Sequence, residues 1–460
     1  MTPKPKHPEL LRNLTAIEAA SIVVGTIIGS GIFLVPSAMV REVGSFGMVL
    51  VVFVAGGLLS LAGALTYAEL GAAMPEAGGE YIYLREAYGP MWSFLYGWTH
   101  FWVAKSGSIA ALATAFFYYL ANFWPRLERV WFTLPIPLGD GGGPLPISYG
   151  QILAMGLILG LGGVNFFGVK AGGRVQSAIT ILKIGLILGI VLLTAAFGGG
   201  SAENWSSQTA HVGGVSGFFA ALVAALWAYD GWNNVTMASG EVRDPHRNIP
   251  RALIGGVLTV IAVYLAVNVA YFYSLDADSV AASERVASDA ARRFLGERGA
   301  DAVSLAAMIS IFAALNGSIL SGARVPYAMA RDGFFLESMA AVHPQFRTPH
   351  VAIAALSTWA ALLVLSGRYD QLYTYVIFAS WILYGLSAAS VFVLRRKRPD
   401  LERPYRALGY PAVPAAFVVV AAALVGMTLV TSPRESLLGL ALILLGAPFY
   451  FWRKRRNSFS

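Results

Sequence analysis

Twelve stretches of this chain are long and apolar enough to cross a lipid bilayer, and nothing else constrains its fold as strongly. About 20 apolar residues cover the ~30 Å hydrocarbon core. Runs of that kind lie at residues 16–40, 46–71, 91–121, 148–168, 174–197, 215–239, 252–274, 301–323, 350–366, 371–394, 411–431 and 435–452. They account for most of the 460 residues, so the chain is 57% hydrophobic and only 13% charged. A soluble enzyme and a disordered chain are both excluded by this balance. The sequence predicts an all-α integral membrane protein with twelve transmembrane helices.

An even number of spans puts both termini on one side. Basic residues concentrate in the cytoplasmic segments of membrane proteins. Twenty-two of the 33 Lys and Arg fall on the face that carries the termini, nine on the opposite face, and two, Lys105 and Lys183, inside spans. Both termini are therefore expected in the cytoplasm and the chain in the cell (inner) membrane. The net charge of +8 reads as topology, not as a nucleic-acid surface. The basic start leads into a run too long for a secretory leader. Segments 122–147 and 275–300 read as outer loops, the first irregular around Gly141, Gly142, Gly143 and Pro144, the second with helical content.

Two spans carry residues that should break a helix. The first holds Gly29-Ser30-Gly31. The sixth holds Asp230-Gly231-Trp232-Asn233-Asn234. Backbone freed from a helix at membrane depth needs a cavity or protein partners, and intramembrane carboxylates mark functional sites. Interrupted spans at matching places in two halves point to a transporter binding site. Half-helix N-termini suit a carboxylate and half-helix C-terminal carbonyls suit an ammonium.

These motifs also carry a family likeness. Gly25-Thr26-Ile27-Ile28-Gly29-Ser30-Gly31-Ile32-Phe33, the sixth-span Ala228-Tyr229-Asp230-Gly231-Trp232-Asn233, the loop Gly240 to Ala252, and Gly79-Glu80-Tyr81-Ile82-Tyr83-Leu84 together resemble the amino acid–polyamine–organocation transporters. Within that superfamily the chain looks most similar to the L-type amino acid transporters, the light subunits of heteromeric transporters, and their bacterial relatives. The resemblance implies a LeuT-type fold of two inverted five-helix repeats with broken helices 1 and 6. On this reading residues 1–15 are a cytoplasmic segment, 16–197 the first repeat, 215–394 the second, 411–452 two further helices, and 453–460 a cytoplasmic tail.

The resemblance also implies roles. Backbone N–H groups around Gly29, Ser30 and Gly31 would take a substrate carboxylate. Carbonyls of Ile27, Trp227 and Asp230 would take its ammonium. Trp227 would gate the pocket, and Asn233 and Trp381 would line its side-chain end. Lys183 would stand where sodium-coupled relatives hold a cation, which implies sodium independence. The chain departs from mammalian relatives in having a carboxylate at Asp230, which either favours a cationic substrate, titrates, or caps the broken helix. It also has no cysteine, so no covalent heavy subunit is expected.

Three charges leave their partners open. Lys105 lies deep in span three, with Asp230 and Glu69 as candidates. Lys183 has Asn316 and Ser318 within conceivable reach. Glu241, where span six meets the cytoplasm, is a candidate inner gate with Arg12 or Arg85. Metal spacing is lacking among the six histidines, so no metal, cofactor or enzyme chemistry is expected. The reading is an alternating-access exchanger of neutral L-amino acids with small to medium side chains. The alternatives are a proton-coupled or cationic amino acid carrier and a non-transporting amino acid sensor.

Overall fold

The structure is a computed structural model. It describes residues 10–136, 143–197, 199–210, 213–366, 369–431 and 433–457. Lys4 and Lys6 of the basic N-terminal segment, the loop glycines Gly141 and Gly142, and the last three residues of the tail lie outside the described residues.

In chain order the helices are α1 (Ala16–Ile27), α2 (Gly31–Val43), α3 (Phe46–Ala73), α4 (Glu80–Tyr88), α5 (Pro90–Thr99), α6 (Lys105–Leu120), α7 (Tyr149–Phe166), α8 (Val169–Phe197), α9 (Gly214–Tyr229), α10 (Asn234–Met237), α11 (Pro245–Ser274), α12 (Ala277–Ala282), α13 (Val286–Gly322), α14 (Arg324–Arg331), α15 (His350–Leu363), α16 (Tyr369–Lys397), α17 (Ala412–Thr431), α18 (Pro433–Leu444) and α19 (Gly446–Asn457). Among the described residues, ten helical stretches are long and apolar enough to cross a membrane. Two further apolar helices, α9 and α15, are shorter. One stretch joins α1 and α2, and another joins α5 and α6 through a π-helical turn at His100–Ala104.

Burial sorts these helices into an inner and an outer set. In the most apolar window of α1–α2, 89% of residues are buried, against 22% in Gly172–Thr194 and in Ala412–Val430. A helix apolar on every side is either wrapped by protein or turned to lipid. The first pair is wrapped: α1 packs on α8, α11 and α13, and α2 packs on α9. The 22% helices present Ile181, Leu192, Val419 and Val430 outward.

Local sequence sets the ends. Thr15 caps α1, accepting from the Glu18 N–H while Glu18 accepts from the Thr15 N–H at 2.7 Å, a reciprocal pair that satisfies two otherwise unpaired donors. At the far end of α2, Gly44 takes the left-handed conformation, φ 77°, that glycine adopts without strain. The outer segment 122–147 is less irregular than its Gly and Pro content suggests. Val130–Leu134 (β1) pairs antiparallel with Leu145–Ser148 (β2), because β-branched and aromatic residues flank the glycines. Segment 275–300 is helical in part, as α12 and the start of α13.

Candidate functional site

Helix breaks fall where Gly and Asp interrupt the apolar runs. α1 ends at Ile27 and α2 begins at Gly31, leaving Ile28, Gly29 and Ser30 between them. α9 ends at Tyr229 and α10 begins at Asn234, with Asp230 extended and Gly231 at φ 101°. The two breaks face each other. Thr26 Oγ1 donates to the Gly231 carbonyl at 2.9 Å. Gly31 approaches α9 so closely that a Cβ there would lie 2.5 Å from Cα of Ala228.

Between the breaks lies a cavity of about 20 Å³ lined by Ile27, Gly29, Ser30, Gly31, Trp227 and Asp230, with Ser108 and Ser318 contributed by α6 and α13. A second gap of the same volume lies beside it, sharing Ser108 and Asp230, and is lined by Lys105, His100, Ser380 and Tyr384. Each has room for about one water, so the site is nearly closed in this conformation. Trp227, 5% exposed, forms part of the wall. The start of α2 borders the cavity, and a helix N-terminus is the positive end of its dipole.

Asn233 and Trp381 do not line this cavity. Asn233 turns away from it and donates through Nδ2 to Oε1 of Glu80. Trp381 is buried against Phe417 at 5.5 Å and Tyr384 at 6.0 Å between ring centroids. It therefore stands behind Tyr384, whose hydroxyl donates to Asp230 Oδ1 at 2.9 Å. The Ile27 carbonyl is already engaged, accepting from the Gly29 N–H at 2.7 Å and the Tyr264 hydroxyl at 2.9 Å.

Lys183 is fully buried, and its ammonium donates to the carbonyls of Gly25 at 2.7 Å and Ile28 at 2.5 Å. Ser310 from α13 donates to the same Ile28 carbonyl at 2.9 Å. The side chain thus fills the junction of α1, α8 and α13 and braces the carbonyls freed at the first break. Asn316 is not its partner: it bridges Gln176 and Asn165 instead. Ser318 faces the central cavity.

Lys105 donates to Asn234 Oδ1 at 2.6 Å, an amide acceptor in the sixth-span break. Neither carboxylate considered for it is its hydrogen-bond partner. Glu69 pairs with Arg395 at 2.6 Å and Arg403 at 3.5 Å. Glu241 likewise pairs with neither Arg12 nor Arg85. Its carboxylate is gripped by Arg324, with both side chains buried. Arg85 pairs with Asp332 at 2.8 Å. The Glu241 main chain also joins the entry to α1, since its carbonyl accepts from the Leu14 N–H at 2.8 Å.

Two further participants were not singled out as site residues, although Glu80 lies within the Gly79–Leu84 motif of the family likeness. Glu80 accepts from Tyr96 at 3.1 Å as well as from Asn233, although it belongs to a short loop helix. Tyr264 of α11 is fully buried with its hydroxyl within reach of the Ile27 and Ala228 carbonyls, at 2.9 and 2.7 Å. That single side chain ties the two breaks together. Among the described residues no group of three or more His, Cys, Asp or Glu could hold a metal ion.

Comparison with known proteins agrees with this architecture. The model of the amino acid permease family matches residues 14–446. The serine/threonine exchanger SteT of Bacillus subtilis is 33% identical over 98% of this chain and 98% of its own. The human b(0,+)-type amino acid transporter 1 is 33% identical over 97% of this chain and 89% of its own. The human cystine/glutamate transporter is 29% identical over 99% and 89%. A match across nearly the whole length, with the helix breaks inside it, means that the chain belongs to the amino acid permease family.

Proposed function

We propose that this multi-pass membrane amino acid transporter is a sodium-independent, alternating-access exchanger of neutral L-amino acids with small to medium side chains. The observation that carries this reading is the pair of facing breaks around one cavity, with Lys183 holding the first break by the carbonyls of Gly25 and Ile28. An ammonium supplied by the chain itself occupies acceptors that a metal cation would otherwise need, so coupling to sodium is unnecessary. The family match and the exchangers and transporters among its relatives support the transport step.

The α-carboxylate is assigned to the start of α2, at Ser30 and Gly31, with the Gly29 N–H joining them once it leaves the Ile27 carbonyl that it meets at 2.7 Å. The ammonium is assigned to Asp230, the carbonyl end of α9 at Trp227, and the Ile27 carbonyl, which accepts from the Gly29 N–H and has the Tyr264 hydroxyl within reach. Trp227 closes over the substrate and limits side-chain size. Asn233 and Trp381 act from behind this layer, through Glu80 and Tyr384. A cavity of about 20 Å³ must widen to admit an amino acid, which identifies this conformation as a closed one. Ten long apolar helices plus the shorter α9 and α15 support twelve crossings in a LeuT-type 5+5 arrangement, with both termini on the cytoplasmic face of the inner membrane. No disulfide can join this cysteine-free chain to a heavy subunit.

Asp230 favours a second reading, a cationic amino acid carrier, because its carboxylate lines both central gaps. One experiment separates the readings. Purified protein in proteoliposomes is loaded with L-serine, or left empty, and uptake of radiolabelled L-serine and L-arginine is followed without sodium or a pH gradient. Serine uptake confined to preloaded vesicles supports the exchanger. Preference for arginine moves the assignment to the cationic class. Uptake into empty vesicles that grows with an inward proton gradient replaces exchange by proton symport.

A further inference from the structure

A cavity far larger than the one between the helix breaks lies elsewhere in the described structure. A cavity of about 380 Å³ opens on the face that carries the basic loops, among Arg12, Glu76, Arg85, Gly240, Arg331 and Asp332. Its volume sits at the lower end of the range of small-molecule sites. Its position ties it to the inner closure. Gly240 precedes Glu241, and Arg331 ends the helix that Arg324 begins. The buried Glu241–Arg324 pair therefore joins the same two elements that form the cavity wall.

The charges in this wall are unequally committed. Asp332 is occupied: Arg85 donates to it at 2.8 Å and Tyr81 at 2.9 Å. Arg12 and Arg331 are different. Among the described residues, no carboxylate lies within ion-pair distance of either guanidinium, and Arg331 meets Tyr327, its hydroxyl at 3.5 Å and its ring centroid at 6.0 Å. Glu76, in the same wall, has one long contact to Arg85 at 3.6 Å and remains 61% exposed. The cavity thus offers two uncommitted guanidiniums and one weakly held carboxylate. Guanidinium groups bind carboxylates in two-pronged fashion, and a carboxylate takes an ammonium. A ligand bearing both groups on adjacent atoms satisfies both sets at once, whereas a simple anion leaves Glu76 as a like charge facing it.

We propose that this cavity is a docking subsite for the α-amino acid zwitterion at the cytoplasmic side of the closed gate, with Arg12 and Arg331 taking its carboxylate and Glu76 its ammonium. The proposal rests on the transport reading above and adds a second binding step to it. A basic mouth raises the local concentration of the carboxylate end, and occupancy bears directly on the elements that Glu241 and Arg324 hold together. Cargo is captured before the central site opens inward.

The test is sided kinetics of full-length protein. Uptake of radiolabelled L-serine is measured in inside-out membrane vesicles, where the cytoplasmic face is outermost, and in whole cells, where the opposite face is. L-serine is saturating on the other side in both. Arg331→Gln and the double variant Arg12→Gln/Arg331→Gln should raise the half-saturating concentration at the cytoplasmic face at least fivefold. The value at the outer face should move by less than twofold, and Arg331→Lys, which keeps the charge without the two-pronged geometry, should fall between wild type and Arg331→Gln. An unchanged cytoplasmic value, or an equal rise on both faces, overturns the subsite and leaves the transport reading intact. A wild-type chain that exchanges no amino acid at either face overturns both.

Discussion

Arg324 and Glu241 form a two-pronged ion pair sealed from solvent, with Nε 3.0 Å from Oε1 and Nη2 2.9 Å from Oε2. Their side chains are 1% and 0% exposed. Removing one member of such a pair strands a charge in a low-dielectric interior and costs about 3–5 kcal/mol, while replacing both is far milder. Glu241→Gln alone should therefore lower the thermal midpoint of the detergent-solubilised protein more than Glu241→Gln with Arg324→Gln. A double variant less stable than either single one would mean that the pair does not act as a unit.

The contact between the two breaks makes a second prediction. At Gly31 a Cβ would meet Cα of Ala228 at 2.5 Å, and backbone cannot yield as a side-chain tip can. At Gly255 a Cβ would meet nothing within 4 Å. Gly31→Ala should cut L-serine exchange in proteoliposomes more than tenfold, and Gly255→Ala should stay within twofold of wild type. Equal rates for the two variants would remove the close approach from the working site.

Much of the fold was legible because its signals are local. Membrane spans declare themselves by length and apolar content, and Gly29-Ser30-Gly31 and Asp230-Gly231 mark the breaks without help from distant residues. Pairings were less legible. Glu241 faces a surface with many arginines, and nothing in spacing distinguishes Arg324 from Arg12 or Arg85. Lys105 hydrogen-bonds an amide, Asn234, while Asp230, one of the two carboxylates that charge complementarity offered, shares its gap without a bond to it. Asn233 has the right depth for the cavity, yet a buried Glu80 arriving from a loop helix turns it away. Tyr264 lies in a span where Tyr271 is buried as well, so only the fold singles out its hydroxyl.

That hydroxyl gives the third prediction. Tyr264 has one proton to offer and lies 2.9 Å from the Ile27 carbonyl and 2.7 Å from that of Ala228. Phenylalanine keeps the packing against Phe53, 5.9 Å between ring centroids, and removes only the link. Losing a buried hydrogen bond and leaving carbonyls short of a donor costs about 1–3 kcal/mol. Tyr264→Phe should lower both thermal stability and exchange rate, with expression and monodispersity retained. Wild-type exchange in this variant would show that the breaks are held by their helices alone.

Outside the membrane, Asp276 supplies a pH-dependent element. Its carboxylate caps α12 by accepting from the Ser279 N–H at 2.7 Å. That backbone donor holds its pKa below the ordinary carboxylate value, and partial burial opposes the shift only in part. A depressed folded-state pKa contributes stability that is fully present above the unfolded value, about 3.9, and is lost as pH falls through the folded one. Asp276→Ala should weaken amide-exchange protection in α12 by about 1 kcal/mol at pH 5 to 7. The difference from wild type should vanish in stronger acid. A difference that persists there would assign the effect to packing and not to the charged cap.

Lys183 carries the sharpest functional prediction. Its ammonium is the donor shared by the carbonyls of Gly25 and Ile28, which lie at and just before the first break. Methionine is close in length and apolar, so Lys183→Met preserves the buried shape and deletes the charge. The Gly25 carbonyl then loses its side-chain donor at membrane depth, and the Ile28 carbonyl is left with the Ser310 hydroxyl. Exchange of L-serine should fall at least tenfold while the protein still purifies as a single species. Wild-type exchange should be the same in sodium and in choline media, because the positive charge at this junction comes from the chain. If Lys183→Met exchanges at the wild-type rate, the charge is not needed to hold the break. If wild-type exchange requires sodium, a cation enters elsewhere, and the ammonium at Gly25 and Ile28 serves only to brace α1 against α8.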